Sequence, residues 1–264
     1  MIDYARLSHD FSALGVTFGQ TVLLHSSLSS LGHTEGGADT VVAALLGLLG
    51  DGGTLVVPSG TSGNSDTSPF YRAAVAGMTP EEVAAFRARM PAYDPGSTPS
   101  VLMGRIPERV RTLPKAYRSA HPLTSFAAIG PQADEITREH ARDCLLGELS
   151  PLSKLYDAKA HVLLLGVGYD RCTAFHLAEY RYRPDPPQRS YRAVVDDGDG
   201  RAWCEFVDVH VDDADFWRLG ADFEVAGDVR LGWVGAAQAR LFALTDAVDY
   251  ATGWLTTHRT PATY

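Results

Sequence analysis

The chain has 264 residues, 45% hydrophobic and 21% charged, with 23 basic against 32 acidic side chains and a formal net charge of −9. These are globular proportions with ample chain for a full core, and the acidic balance argues against a nucleic-acid binder, whose footprint is a basic stripe. No apolar run approaches membrane-spanning length; the longest are Val41 to Gly50 and Val162 to Val167.

Met1 to Arg6 lacks the basic head and greasy run of a secretory signal. Tyr4 to Leu14 reads as a short amphipathic helix. Thr21 to His25 is an apolar run of buried-strand length that ends in a polar loop, His25-Ser26-Ser27-Leu28-Ser29-Ser30. Ala38 to Leu49 has helical length and composition, and Gly53 to Pro58 is a second strand stopped by its proline. Strand, helix and strand in succession predict a crossover unit and hence a partly parallel sheet.

Ser59 to Met78 is rich in Gly, Ser and Thr, with Asp66 in the middle, and reads as a long functional loop. Thr79-Pro80-Glu81-Glu82 opens a helix with a capping box. Tyr93 to Gly96 is a turn, and helices are expected over Ser100 to Arg111 and Pro131 to His140. His161 to Gly168 is the clearest buried strand. Asp170 to Glu179 runs from a loop into a helix. Asp196 to Gly200 is a hairpin turn between Tyr191–Val195 and Ala202–Val211. Ala236 to Leu255 reads as one long closing helix. The whole predicts a single α/β domain over 1–264: a central mixed, partly parallel sheet flanked by helices, a β-hairpin region and the C-terminal helix.

Cys144, Cys172 and Cys204 are odd in number, widely spaced and contain no CxxC pair. They cannot form a disulfide framework, and a reducing compartment, the cytoplasm, is expected. Nothing in the sequence specifies an oligomeric state.

Three segments carry chemistry. The serine loop gathers hydroxyls and backbone N–H groups between a strand and a helix, which suits an anionic group such as a diphosphate; a loop that simply caps the next helix would look the same. No Walker or GxGxxG motif is present. His176 and Glu179 stand i and i+3 on a helix starting at about Thr173, so both lie on one face. An imidazole near a helix N-terminus favours its neutral form, as a general base requires. A structural His–Glu pair is the alternative. Zinc is disfavoured because position 180 is Tyr, so the HxxEH pattern lacks its second histidine. A serine hydrolase is disfavoured because no GxSxG occurs, and Cys172 reads as apolar filler. Arg118-Ser119-Ala120-His121 joins a basic residue, a hydroxyl and an imidazole in a turn.

In order, Leu24 to Gly32, Gly53 to Pro58, Tyr93 to Ser100 with Met103-Gly104, Arg118 to Pro122, Ser125-Phe126, Gly147 with Ser150 to Leu152, Leu164 to Asp170, Thr173 to Tyr180 and Gly232 to Ala236 resemble the aminoglycoside N3-acetyltransferase family over nearly the whole chain. The resemblance implies acetyl transfer from acetyl-coenzyme A to the 3-amino group of a 2-deoxystreptamine aminoglycoside, without a metal. It implies a coenzyme A site at His25, Ser26, Ser27, Leu28, Ser29 and Ser30, with Ser100, Met103, Arg118 and Ser119 alongside. It implies His176 as catalytic base and Glu179 as its neighbouring carboxylate. Cys172 departs from the family's usual Asn, which leaves Thr173 to cap the helix. Thr98 or a backbone N–H is expected to serve the oxyanion. Asp66, Tyr71, Asp170 and Glu179 are the candidates to face a cationic aminoglycoside. An acetyltransferase for another amine, or a coenzyme-A-binding protein without turnover, stays open. No nucleic-acid or membrane partner is expected.

Overall fold

The run Thr21–Ser26 shows no polar alternation because it lies at the centre of a sheet covered on both faces. A computed structural model describes residues 1–259. The chain begins with α1 (Tyr4–Leu14), β1 (Thr21–Ser26), α2 (Ala38–Leu49), β2 (Thr54–Pro58), α3 (Pro69–Ala74), α4 (Pro80–Arg89) and α5 (Arg105–Arg111). It continues through β3 (Tyr117–Arg118), β4 (Phe126–Ile129), α6 (Ala133–Thr137), α7 (Pro151–Asp157), β5 (His161–Leu165) and α8 (Phe175–Arg181). It closes with β6 (Gln188–Asp196), β7 (Arg201–Val209), α9 (Phe216–Ala226), β8 (Arg230–Val234), β9 (Ala237–Ala243) and α10 (Leu244–His258).

Seven strands form the main sheet in the order β3-β4-β2-β1-β5-β9-β8. β1 pairs in parallel with β2 and with β5; the other pairings are antiparallel. Alternate residues feed two cores. Val22, Leu24, Leu55, Val57, Leu163 and Leu165 pack with α1, α2 and α5. Leu23, Val56, Val162 and Leu164 pack with α6 to α10. β6 and β7 make a separate two-stranded sheet. Its Val195 bridges Tyr93, and its Val194 packs with Tyr71 and Met90. No helix among the described residues is long and apolar enough to cross a membrane.

The C-terminal expectation is corrected. Ala236 to Leu255 is not one helix: Ala237–Ala243 is β9, antiparallel to β5, and the helix starts at Leu244. Ala, Gln, Arg and Leu are good helix formers, but Ala237, Ala239 and Leu241 alternate inward, and pairing with β5 decides the outcome. Gly235 turns β8 into β9 at φ +59°, where a Cβ would sit 2.7 Å from the Leu31 carbonyl oxygen.

Other boundaries move for local reasons. The loop Ser59 to Met78 contains α3, capped by Ser68, whose hydroxyl accepts from the Tyr71 N–H at 3.1 Å. The helix expected from Ser100 begins at Arg105, because Leu102 holds φ at +61° and interrupts it. The helix expected over Pro131 to His140 shortens to α6. The capping box at Thr79 and Glu82 forms as expected, with both bonds made. The strands β3, β4 and β8 and the helices α7 and α9 had no reading in the sequence.

Candidate active site

Parallel strands leave their loops at one edge of a sheet, and ligands bind outside those carboxyl ends. The exits of β1, β2 and β5 here border a cleft of about 970 Å³. Its lining comes from His25 to Ser29, Pro58, Leu102 to Arg105, Val167 and Asp170 to Thr173, with His176, Asp213 and Phe216.

The serine loop forms a 3-10 turn over Leu28–Leu31. The Ser27 N–H donates to the Leu165 carbonyl at 2.9 Å, fastening the turn to β5. The Ser27 and Ser29 hydroxyls lie 3.1 Å apart. Ser30 faces away and donates to the Gly166 carbonyl at 3.0 Å. Gly166 is required there, because a Cβ would lie 2.5 Å from the Ser30 Cβ. The Ser26 hydroxyl and His25 Nε2 are buried without a partner. Burial, followed by the neighbouring His176, pushes His25 down to about 3, so it is neutral. Orphaned donors, paired serine hydroxyls and a roomy cleft with Arg105 on its wall fit an anionic, elongated group such as coenzyme A.

His176 sits in the first turn of α8 with its side chain 14% exposed. The helix starts at Phe175 behind Ala174, and neither Thr173 nor any other side chain caps it. Nδ1 lies 2.6 Å from Glu179 Oε2. A carboxylate only accepts, so Nδ1 carries the hydrogen and Nε2 is left to take a proton. Glu179 is 1% exposed. Its Oε1 accepts from the Asp212 N–H at 2.9 Å and from Arg259 Nη1 at 2.5 Å. The Phe216 ring packs on the imidazole, with centroids 4.8 Å apart. The arrangement can hold one tautomer, accept a proton at Nε2 and stabilise the imidazolium.

The remaining predicted residues divide. Met103 and Asp170 line the cleft beside His25 to Ser29. Thr98, Ser100, Arg118, Ser119, Asp66 and Tyr71 do not. Thr98 Oγ1 accepts from the Asp94 N–H at 2.8 Å, and Thr98 is not among the residues lining the cleft. Ser100 binds Glu108 through its N–H and hydroxyl. Arg118 is spent on Ser59, Ser125 and the carbonyls of Pro95, Thr98 and Ser59. Ser119 is buried against His140. Asp66 is 8% exposed and paired with Arg87 at 2.9 Å and Arg192 at 3.6 Å, so its charge is already matched. Tyr71 is buried beside Phe86. Glu179 has both oxygens occupied within the protein, which leaves it no room to grip a substrate ammonium. Cys172 borders the cleft, and burial pushes its thiol up to about 12. Among the described residues no three His, Cys, Asp or Glu side chains are grouped to hold a metal ion. Arg259, Asp213 and Phe216 carried no sequence signal, although the acidic run Asp212, Asp213 and Asp215 before Phe216 marks a helix start.

The family model described as aminoglycoside 3-N-acetyltransferase matches residues 23–256, a span that runs from within β1 into α10 and includes every residue lining the cleft. The chain belongs to that family. It is an acyltransferase of the aminoglycoside N(3)-acetyltransferase class. It is 40% identical over 250 residues to the SPbeta prophage-derived aminoglycoside N(3')-acetyltransferase-like protein YokD of Bacillus subtilis (strain 168), covering 94% of this chain and 90% of that one. The crystal structure of YokD superposes with a TM-score of 0.92, at 38% identity, over 98% of this chain and 94% of that one. Aminoglycoside N(3)-acetyltransferase VII of Streptomyces paromomycinus is 37% identical over 268 residues, covering 95% and 90% of the two chains. The structure of AAC-IIIb in binary complex with CoASH superposes with a TM-score of 0.85, at 28% identity, over 99% and 98%. Acetyl-coenzyme A as co-substrate accords with that complex and with the family.

Proposed function

We propose that this enzyme acetylates the 3-amino group of a 2-deoxystreptamine aminoglycoside by direct transfer, with His176 as general base. The observation that carries the reading is the His176–Glu179 pair at the wall of the cleft, with Nδ1 occupied and Nε2 free. Acetyl-coenzyme A, when bound, supplies the acetyl group as a thioester. An alkyl ammonium is protonated near neutrality and must lose a proton to attack. His176 Nε2 takes that proton. Glu179 fixes the tautomer and balances the charge that appears on the ring. Ser26 to Ser29 would hold the anionic part of the coenzyme, and the Ser26 hydroxyl, which lines the cleft without a protein partner, is a candidate oxyanion donor in place of Thr98. The cysteines at 144, 172 and 204 are all free, which supports a reducing, cytoplasmic setting.

A second reading, transfer to a less highly charged amine, is favoured by the charge of the cleft. Its carboxylates, Asp170 and Asp213, are offset by Arg105 and Arg171, and Asp66 is engaged elsewhere.

The test measures thiol release from acetyl-coenzyme A with an aminoglycoside panel, a simple alkyl amine and no amine. Release only with aminoglycosides supports the first reading; release only with the alkyl amine supports the second. Release without any amine identifies a thioesterase and overturns both. His176→Ala should lose about 10²–10⁴-fold in kcat with KM for acetyl-coenzyme A little changed. Wild-type kcat in a folded His176→Ala variant removes the histidine from the chemistry.

A further inference from the structure

Arg259 lies beyond the span that matches the family model, just after α10, yet its guanidinium reaches Glu179, behind the cleft-lining His176. Nη1 donates to Glu179 Oε1 at 2.5 Å. Nε and Nη2 form a two-pronged clasp on Asp215, at 3.0 and 2.6 Å, and Nη2 also donates to the Asp212 carbonyl at 2.6 Å. Its cationic carbon stands 5.8 Å from the centre of Phe216, the ring that packs on His176. One side chain thus touches the partner of the imidazole and the segment that walls it in.

We infer that Arg259 is a positioning residue for His176, acting through Glu179 and the Asp212–Phe216 segment. The inference rests on the reading of His176 as the base. Two effects follow from the geometry. The clasp fixes Glu179, so Nδ1 is held and Nε2 keeps its aim; misplacement of a reacting group by about 1 Å can cost about 10²-fold. The guanidinium also shares the carboxylate's charge, so Glu179 draws a proton onto the ring less strongly than a lone carboxylate would. The other charged or titratable groups on the cleft that His176 borders are His25 from β1, His33, Arg105 from α5, Asp170, Arg171 and Cys172 from the loop after β5, and Asp213. None of them touches Glu179 in the structure. Arg259 is therefore the lever on the pair, and it couples the far end of α10 to the reacting group.

The test follows the His176 imidazole by NMR over pH, its signal assigned by its loss in His176→Ala, in parallel with turnover. In Arg259→Met the titration midpoint should move up by about 0.5 pH unit or more, and kcat should fall about 10- to 100-fold, with KM for acetyl-coenzyme A within about twofold. Arg259→Lys keeps the charge and should hold the midpoint and recover part of kcat. If Arg259→Met does not fold, Asp215→Asn releases the cation from its outer partner, and the midpoint should move down instead. An unmoved midpoint in a folded Arg259→Met, or in Asp215→Asn where that variant is used, overturns the inference whatever the turnover. Should His176→Ala keep its rate while Arg259→Met shifts the midpoint, the base assignment fails and the electrostatic link stands.

Discussion

Glu179 stands one turn along α8 from His176, with 2.6 Å between Oε2 and Nδ1, and both of its oxygens are committed to protein donors. A carboxylate so enclosed is tied to the ring, the Asp212 N–H and Arg259.

Glu179→Gln should therefore act on kcat alone. The amide keeps an acceptor but loses the charge that stabilises the imidazolium, and the loss should fall between about 10- and 10⁴-fold. KM for the amine should stay within about twofold, at low and at high salt. A KM that rises and a salt response that disappears would mean that Glu179 touches the ammonium after all.

Cys172 should be chemically quiet. Burial holds its thiol up at about 12, so almost no thiolate exists at neutral pH. Cys172→Ser should keep kcat within a few-fold, initial-rate kinetics should be sequential, and an acetylated Cys172 should not be trapped. Ping-pong kinetics would refute this.

Asp66→Asn should cost stability and spare binding. The carboxylate is buried against Arg87 and Arg192, both about one-third exposed, so the loss should be about 1–3 kcal/mol. KM for a cationic amine should not change. A raised KM with unchanged thermal stability would return Asp66 to the substrate.

Acid should unfold the protein early. His121 Nδ1 accepts the N–H groups of Leu123 and Thr124, while Nε2 donates to the Arg142 carbonyl. Stacked on it at 4.5 Å, His140 accepts from Ser119 and donates to the carbonyls of Cys144 and Leu145. A proton on either Nδ1 turns an acceptor toward a donor. Burial first, then the neighbouring His140, lowers His121 well below 6.5; burial brings His140 to about 4 and His25 to about 3. The folded values lie below the unfolded one, so their contribution is complete above pH 6.5 and lost as pH falls toward 4. Each group adds a slope of about 1.4 kcal/mol per pH unit in that window. Denaturant midpoints at pH 7, 6 and 5 should fall steeply; a flat series would contradict neutral buried histidines.

The sequence carried the centre of the molecule well. Thr21–His25 and His161–Leu165 are unbroken apolar runs because parallel central strands are buried on both sides, and that signal needs no partner to be read. The His176 and Glu179 phase was equally local, one helical turn wide. What failed was long-range. Ala237–Ala243 has a helix former's composition, and only pairing with β5 makes it a strand. Asp66, in a polar loop, reads as a candidate to face a cationic substrate; arginines from α4 and β6 pair with it instead. Arg259 meets Glu179 from 80 residues further along the chain, with no motif around it.

The seat of the serine turn is a seam between strands made at different times. Thr21–Ser26 leaves the ribosome early, whereas its parallel neighbour His161–Leu165 follows more than half a chain later. Until then Ser27 lacks the Leu165 carbonyl that fastens the turn. Such non-local parallel pairing is slow to form. The Arg259 clasp comes later still, once α10 has docked. The serine turn and the Arg259 clasp are thus both completed late in synthesis, and until β5 pairs, Thr21–Ser26 presents an open strand edge prone to misassociation.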